Sequence, residues 1–288
     1  MPTPILIVSF HGGGSGINKL KTFPALTDIL EEPPKFRELR GFVPGHGSDS
    51  NHLYVVEAYK DASTIYYFTS DNMGKWKDGK VFTRDGLSHP FDAVFGSDGH
   101  LYVSNQDNNK ITYYEGPGDK HPGKLKGTFG TKSQPVFNTL RGIAWAGSAL
   151  YAADEKTGVL GYNSDGTSNN VKIAIKDPVH LFYDGTRYLY IGSGSDNSIW
   201  VWDTTQTIKP NPVQIVGPQQ TPAINATAGM ALPGDGNLYV ASRKGNAIIQ
   251  YPIDASQNPP KVSNGQVLSP GLKDNPEFVG SLEVGVYG

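Results

Sequence analysis

Short apolar runs, each about five residues long and broken by polar turns, recur along the whole chain at a nearly fixed interval. The dipeptide Leu-Tyr marks the repeat at Leu53-Tyr54, Leu101-Tyr102, Leu150-Tyr151, Leu189-Tyr190 and Leu238-Tyr239, with Ile5-Leu6 in the equivalent place near the start. Successive Leu positions lie 48, 49, 39 and 49 residues apart, and a chain of 288 residues holds six units of 48. Each unit reads as an apolar strand, a Gly-containing turn, the Leu-Tyr strand, a polar turn and an aromatic-rich strand. Residues 92–114, DAVFGSDGHLYVSNQDNNKITYY, are the clearest example, and 142–163 and 229–252 follow the same order. Ser97-Asp98-Gly99 and Gly234-Asp235-Gly236 are hairpin turns in which glycine takes the positive φ that the turn needs. A weaker fourth strand follows at Lys80–Thr83, Lys124–Phe129 and Val213–Val216.

Four antiparallel strands repeated at this period are the blades of a propeller. The two ends of the chain complete the count. Residues 278–288 have the inner-strand pattern without a Leu-Tyr strand after it, and residues 4–21 have the second and third strands without an inner strand before them. The sequence therefore predicts an all-β, six-bladed β-propeller of four-stranded antiparallel blades over residues 1–288, a single domain. Its ring closes by pairing Phe278–Val286 with Ile5–Ser9, which removes two open sheet edges.

Composition narrows the partners. Gly (35) and Pro (21) are plentiful, and fifteen Tyr with twelve Phe supply bulky strand residues. The 25 Lys+Arg balance 27 Asp+Glu without a basic block, so no nucleic-acid partner is expected. No stretch is long and apolar enough to span a membrane, the N-terminus lacks the basic start of a signal peptide, and there is no cysteine for disulfides or thiolate chemistry. The expectation is a soluble, cytoplasmic monomer with no cofactor. Trp200 and Trp202, on one face of their strand, are expected to pack between blades.

The segment Gly142-Ile143-Ala144-Trp145…Leu150-Tyr151-Ala152-Ala153-Asp154 resembles the inner-strand and second-strand signature of NHL repeats and of the senescence-marker-protein/gluconolactonase family. The resemblance implies a six-bladed propeller. In its lactonase members it implies a divalent metal held by Glu, Asn and Asp side chains at inner-strand starts. Here those positions read Arg40, Phe91, Arg141, Val179, Ala228 and Val279, with Asp92 one place further on, so no tightly held calcium is expected.

Antiparallel pairing sets the start of each inner strand beside the end of the next strand, and that mouth of the channel collects two rings of polar residues. The inner ring contains Arg40, Asp92, Arg141 and His180, with His89 just upstream. The outer ring contains Ser9, Glu57, Asn105, Asp154, Ser193 and Ser242. Arg40 and Arg141 either converge on an anionic ligand or pair within their own blades with Glu57 and Asp154. The ligand-binding candidates are thus Arg40, Arg141, Asp92, His180, His89, Glu57, Asn105 and Asp154. His11, His89 and His180, in alternate blades, form the alternative of a zinc site. The functional expectation is a small polar or anionic molecule bound at the mouth, with or without catalysis there. A metal-dependent lactonase-like hydrolase or lyase, and a lectin or protein-interaction scaffold using the outer loops for a protein or glycan partner, are the alternatives.

Overall fold

The computed structural model describes residues 5–13, 19–31, 34–45, 49–70, 75–130, 137–206, 210–269 and 271–282. They form six antiparallel sheets. Blade 1 joins the two ends of the chain, with β1 (Ile5–Gly13) and β2 (Lys19–Phe23) from one and β24 (Asp274–Leu282) from the other. Blade 2 is β3 (Leu39–Pro44), β4 (His52–Glu57), β5 (Thr64–Ser70) and β6 (Trp76–Thr83). Blade 3 is β7 (Pro90–Phe95), β8 (Leu101–Asn105), β9 (Lys110–Tyr114) and β10 (Leu125–Phe129). Blade 4 is β11 (Leu140–Ala146), β12 (Ala149–Asp154), β13 (Gly158–Asn163) and β14 (Ser168–Ile173). Blade 5 is β15 (Pro178–Tyr183), β16 (Tyr188–Ser193), β17 (Ser198–Asp203) and β18 (Val213–Val216). Blade 6 is β19 (Thr227–Ala231), β20 (Asn237–Ser242), β21 (Ala247–Asp254) and two short outer strands, β22 (Lys261–Val262) and β23 (Gln266–Ser269).

The innermost strands contact one another in the cyclic order β3, β7, β11, β15, β19, β24 and back to β3. This is a six-bladed β-propeller. Two blades depart from the four-strand plan. In blade 1 the outer strand shrinks to a single antiparallel bridge between Lys21 and Asp28, and in blade 6 the outer strand is split in two. No helix among the described residues is long and apolar enough to cross a membrane.

The Leu-Tyr repeat has a direct structural meaning. Adjacent strand residues face opposite sides of the sheet, so Leu and Tyr enter different inter-blade seams. Leu53 packs in the cluster between blades 1 and 2, and Tyr54 in the one between blades 2 and 3. Leu101, Tyr102, Leu150, Tyr151, Leu189, Tyr190, Leu238 and Tyr239 continue the same alternation around the ring. All five repeat leucines are fully buried, which stabilises the fold by about 1.5–3 kcal/mol each. Three of the five tyrosine hydroxyls reach the hairpin aspartates of their own blades, Tyr54 to Asp49, Tyr102 to Asp98 and Tyr239 to Asp235, at 2.7–2.9 Å. Trp202 is fully buried against Tyr151 of blade 4, and Trp200 packs on the same seam, as the inter-blade expectation required.

Closure follows the expected pairing, with Ile5 opposite Leu282 and Val8 opposite Val279. Residues 283–286 of the expected strand lie outside the described residues. The register shifts at Ser9/Phe10, so that Gly280 faces Ile7 much as Ala93 faces Val103. The blade-1 equivalent of Phe91 is therefore Phe278, one residue before the Val279 expected from sequence spacing. Val279 enters the seam with blade 6. A chain truncated after Lys273 should lose cooperative thermal unfolding, because two seams open and two inner sheet edges are exposed. A far-UV circular dichroism melt unchanged from the full chain would contradict this closure.

Candidate functional site

Every inner strand is irregular just after its start. The register slips at Leu39/Phe42, Pro90/Asp92, Leu140/Ile143, Pro178/His180 and Thr227/Met230. Such bulges re-aim side chains at the rim of a barrel or ring, and here they release Arg40, Phe91, Arg141, Val179 and Ala228 from the ladder. The inner strands also approach very closely at this level. A Cβ on Gly142 would stand 2.8 Å from the Val179 carbonyl oxygen, and one on Gly229 would stand 2.5 Å from the Val279 nitrogen.

The outer ring does something the sequence did not suggest. In blades 2 to 6 each of its residues ties down the loop that leads into its own blade's inner strand. Glu57 accepts the backbone N–H groups of Arg37 and Glu38, both at 3.0 Å. Asn105 accepts from Ser88 N at 2.8 Å, and Asp154 accepts from Asn138, Thr139, Lys156 and Thr157. Ser193 donates to the Lys176 carbonyl, Ser242 accepts from Asn225 N, and Ser9 accepts from Phe278 N. Five blades use the same latch, and in blade 1 Ser9 bonds the inner strand itself. Burial raises the Glu57 carboxyl pKa, partly countered by those two N–H donors.

The arginines do not pair with Glu57 and Asp154, the acids that the sequence suggested. Arg40 is buried and reaches Glu38 at 2.8 Å and Glu277 of the closing strand at 3.4 Å. Arg243 Nε lies 2.7 Å from the other Glu277 oxygen, an ion pair without hydrogen-bond alignment. Arg141 pairs with Glu155, the neighbour of Asp154. Asp154 is already committed to four backbone donors, and one oxygen of Glu57 to two. His89 bridges this network: Nε2 lies 2.7 Å from Glu38 and Nδ1 lies 3.1 Å from Asp107. Its backbone is left-handed, with φ of 54°, an uncommon conformation outside glycine. The hydrogen bond to Glu38 raises the His89 pKa despite burial. Burial opposes ionisation of Glu38, but His89 and Arg40 outweigh it and hold the carboxyl at about 2.

Beneath the arginines the channel is plugged. The guanidinium groups of Arg40 and Arg141 lie over the Phe91 ring at 5.7 and 5.8 Å. Phe91, His180 and Phe278 then pack ring against ring at 4.5–5.3 Å. Burial, with the nearby charges of Arg243, Arg40 and Arg141, pushes His180 down to about 3, so its imidazole is neutral. Asp92 belongs below this plug, not to the mouth. Its oxygens accept Ala93 N at 2.9 Å and Ile143 N at 3.1 Å. Burial raises its carboxyl to about 7.

The three histidines are not brought to one point. His11 contacts the Leu39 carbonyl, His89 is held by two carboxylates and His180 is inside the plug. Among the described residues no group of three His, Asp or Glu side chains is arranged to hold a metal ion.

Sequence reasoning also missed an opening at the rim, between blades 2 and 3. This cleft of about 380 Å³ is lined by Lys60, Ser63, Arg84, Ser88, His89 and Asp107. The Lys60 ammonium lies over the Tyr59 ring, and Arg84 Nε donates to Thr64 Oγ1 at 3.1 Å. Among the described residues neither cation has a carboxylate partner. The two sit in connections of blade 2, one before its third strand and one after its fourth, so no repeat or spacing marks them.

No family model and no curated protein sequence matches the chain. Solved structures do. A chain of the nidogen/laminin complex is 14% identical with a TM-score of 0.67, over 97% of this chain and 98% of that one. The periplasmic gluconolactonase of Pseudomonas aeruginosa is 14% identical with a TM-score of 0.61, over 91% and 82%. A putative 6-phosphogluconolactonase from Bacteroides uniformis is 12% identical with a TM-score of 0.61, over 97% and 99%. The likeness is one of fold. It covers the whole ring and agrees with the NHL and lactonase-like resemblance read from the blades.

Two outcomes test these roles. Replacing Asp154 with Ala leaves four backbone donors short of an acceptor and should cost about 2–3 kcal/mol in urea unfolding, whereas Arg141→Ala should cost under about 1 kcal/mol. The Glu38–His89 pair should stabilise the fold most between pH 4.5 and 6.5, the ordinary values of the two groups. The Glu38 share is lost as pH falls towards about 2, and the His89 share as pH rises through that group's raised pKa. In His89→Gln the alkaline-side decline should disappear from a pH series of thermal melts.

Proposed function

We propose that this propeller binds a small anionic molecule at the rim of its channel mouth, in the cleft between blades 2 and 3. One observation carries the reading: Lys60 and Arg84 face the same cleft with no carboxylate partner among the described residues, while Arg40 and Arg141 are each matched by an acid. An unpaired guanidinium and ammonium with Ser63 and Ser88 nearby suit a carboxylate or phosphate. Glu38, itself paired with Arg40, then serves the site by holding His89 on the cleft wall. Glu57, Asn105 and Asp154 act as scaffolding for the loops behind it.

His89 adds a proton-transfer group. Glu38 holds one ring nitrogen, and the exposed Asp107 on the other could yield its place to a ligand, which would open that nitrogen for general acid or base work. The gluconolactonase and 6-phosphogluconolactonase neighbours make sugar acids, their phosphates and their lactones the first compounds to try. A thermal-shift and calorimetry series with gluconate, 6-phosphogluconate and inorganic phosphate is the direct experiment. Binding should raise the melting temperature by mass action. Lys60→Ala and Arg84→Ala should each weaken it about tenfold, near 1.4 kcal/mol, with Arg141→Ala unchanged. Absence of any response to these anions, or equal affinity in Lys60→Ala and Arg84→Ala, would overturn the proposal.

A further inference from the structure

The channel has a second chamber on the other side of the plug. Its lining begins at the level of Asp92 and His180 and runs along the inner strands to Trp145 and Tyr183, near the ends of β11 and β15. The volume is about 260 Å³. The walls are chiefly apolar and aromatic, with Phe42, Trp145, Phe182, Tyr183 and Met230 among them. Asp92 is the one carboxylate in the lining, and no lysine or arginine lines it.

The charged groups of the packed strands face elsewhere. Arg40 on β3, Arg141 on β11 and Glu277 on β24 are gathered at the mouth, beyond the Phe91, His180 and Phe278 rings. Arg243, which follows β20, joins them there. His180 on β15 shares the chamber wall and is neutral. Asp92 thus has hydrogen-bond donors on both oxygens and spare lone pairs, but no counter-charge. A buried carboxylate without a cation is costly, and the cost is visible in its raised pKa of about 7.

We infer that this chamber is a binding site for a small organic monocation, a primary arylalkyl amine being the simplest, with Asp92 as its counter-ion. The ammonium completes the ion pair that the protein leaves open. Trp145, Phe182 and Tyr183 supply aromatic wall that can attract positive charge and accept an aromatic or aliphatic tail. The site is independent of the anion cleft, since the plug lies between them and the ligand charges are opposite.

The test compares 2-phenylethylamine with 2-phenylethanol by calorimetry on the intact protein at pH 8. The amine should bind, and the alcohol at least tenfold more weakly. Because a proton competes with the ammonium for Asp92, amine affinity should fall as pH is lowered below about 7, approaching tenfold per unit. Asp92→Asn should lose the preference for amine over alcohol. Trp145→Leu, which leaves Asp92 intact, should weaken the amine and retain the pH dependence. Gluconate, directed at the rim cleft, should leave amine binding unchanged, which separates failure of one site from failure of the other. Equal binding of amine and alcohol, binding independent of pH, or no amine binding at millimolar concentration would each overturn the inference. So would a folded Asp92→Asn protein that still prefers the amine.

Discussion

Everything in this molecule depends on the apolar seam between consecutive blades. A four-stranded sheet of this size has two faces to cover and no independent core, so each blade must lean on a neighbour at both sides. Six clusters of buried side chains meet that need, and each draws on two adjacent blades. The Leu-Tyr pair places one anchor in each of two successive seams. The seam between blades 6 and 1 contains Val279 together with Leu6 and Val8, so the last interface forms only when the ends of the chain meet.

The mouth is built on the same constraint. With inner strands packed nearly backbone to backbone, there is little room for side chains except where a bulge turns them into the channel. Arginines released there cannot remain unpaired in so narrow a space. Their partners are Glu38 and Glu155 of their own blades, joined at Arg40 by Glu277 of the closing strand, while Glu57 and Asp154 hold backbone donors. Polar groups that look alike in the sequence, Glu57 and Glu38 for instance, therefore do different work: one anchors a loop, and the other holds Arg40 and His89.

The architecture was legible because the repeat is a packing rule. A period of 48 residues, strand alternation and glycine turns such as Gly99 report local geometry, which is encoded locally. The mouth was legible only in part. Antiparallel pairing correctly brought Arg40, Arg141 and His89 to one end. It could not reveal that Asp92 faces the other side of an aromatic plug, since that depends on how three rings from blades 1, 3 and 5 meet. Nor could it find Lys60 and Arg84, which approach each other through the folding of blade 2 and belong to no recurring pattern. The latch residues carried a signal in retrospect. Five of the six, Glu57, Asn105, Asp154, Ser193 and Ser242, end the second strand of their blade, and a polar residue repeated at one register position points to the backbone it caps.

Glu277 and Phe278 sit side by side on the strand that closes the ring, one neutralising Arg40 and Arg243, the other completing the plug. An unclosed chain would therefore leave Arg243 without its acid, Arg40 with Glu38 alone, and an open bore behind them. Its surface would differ from the finished molecule in electrostatic potential as well as in exposed backbone. The final strand acts as a charge seal: the native distribution of charge, and the separation of the two chambers, come into being in the same step that completes the circle.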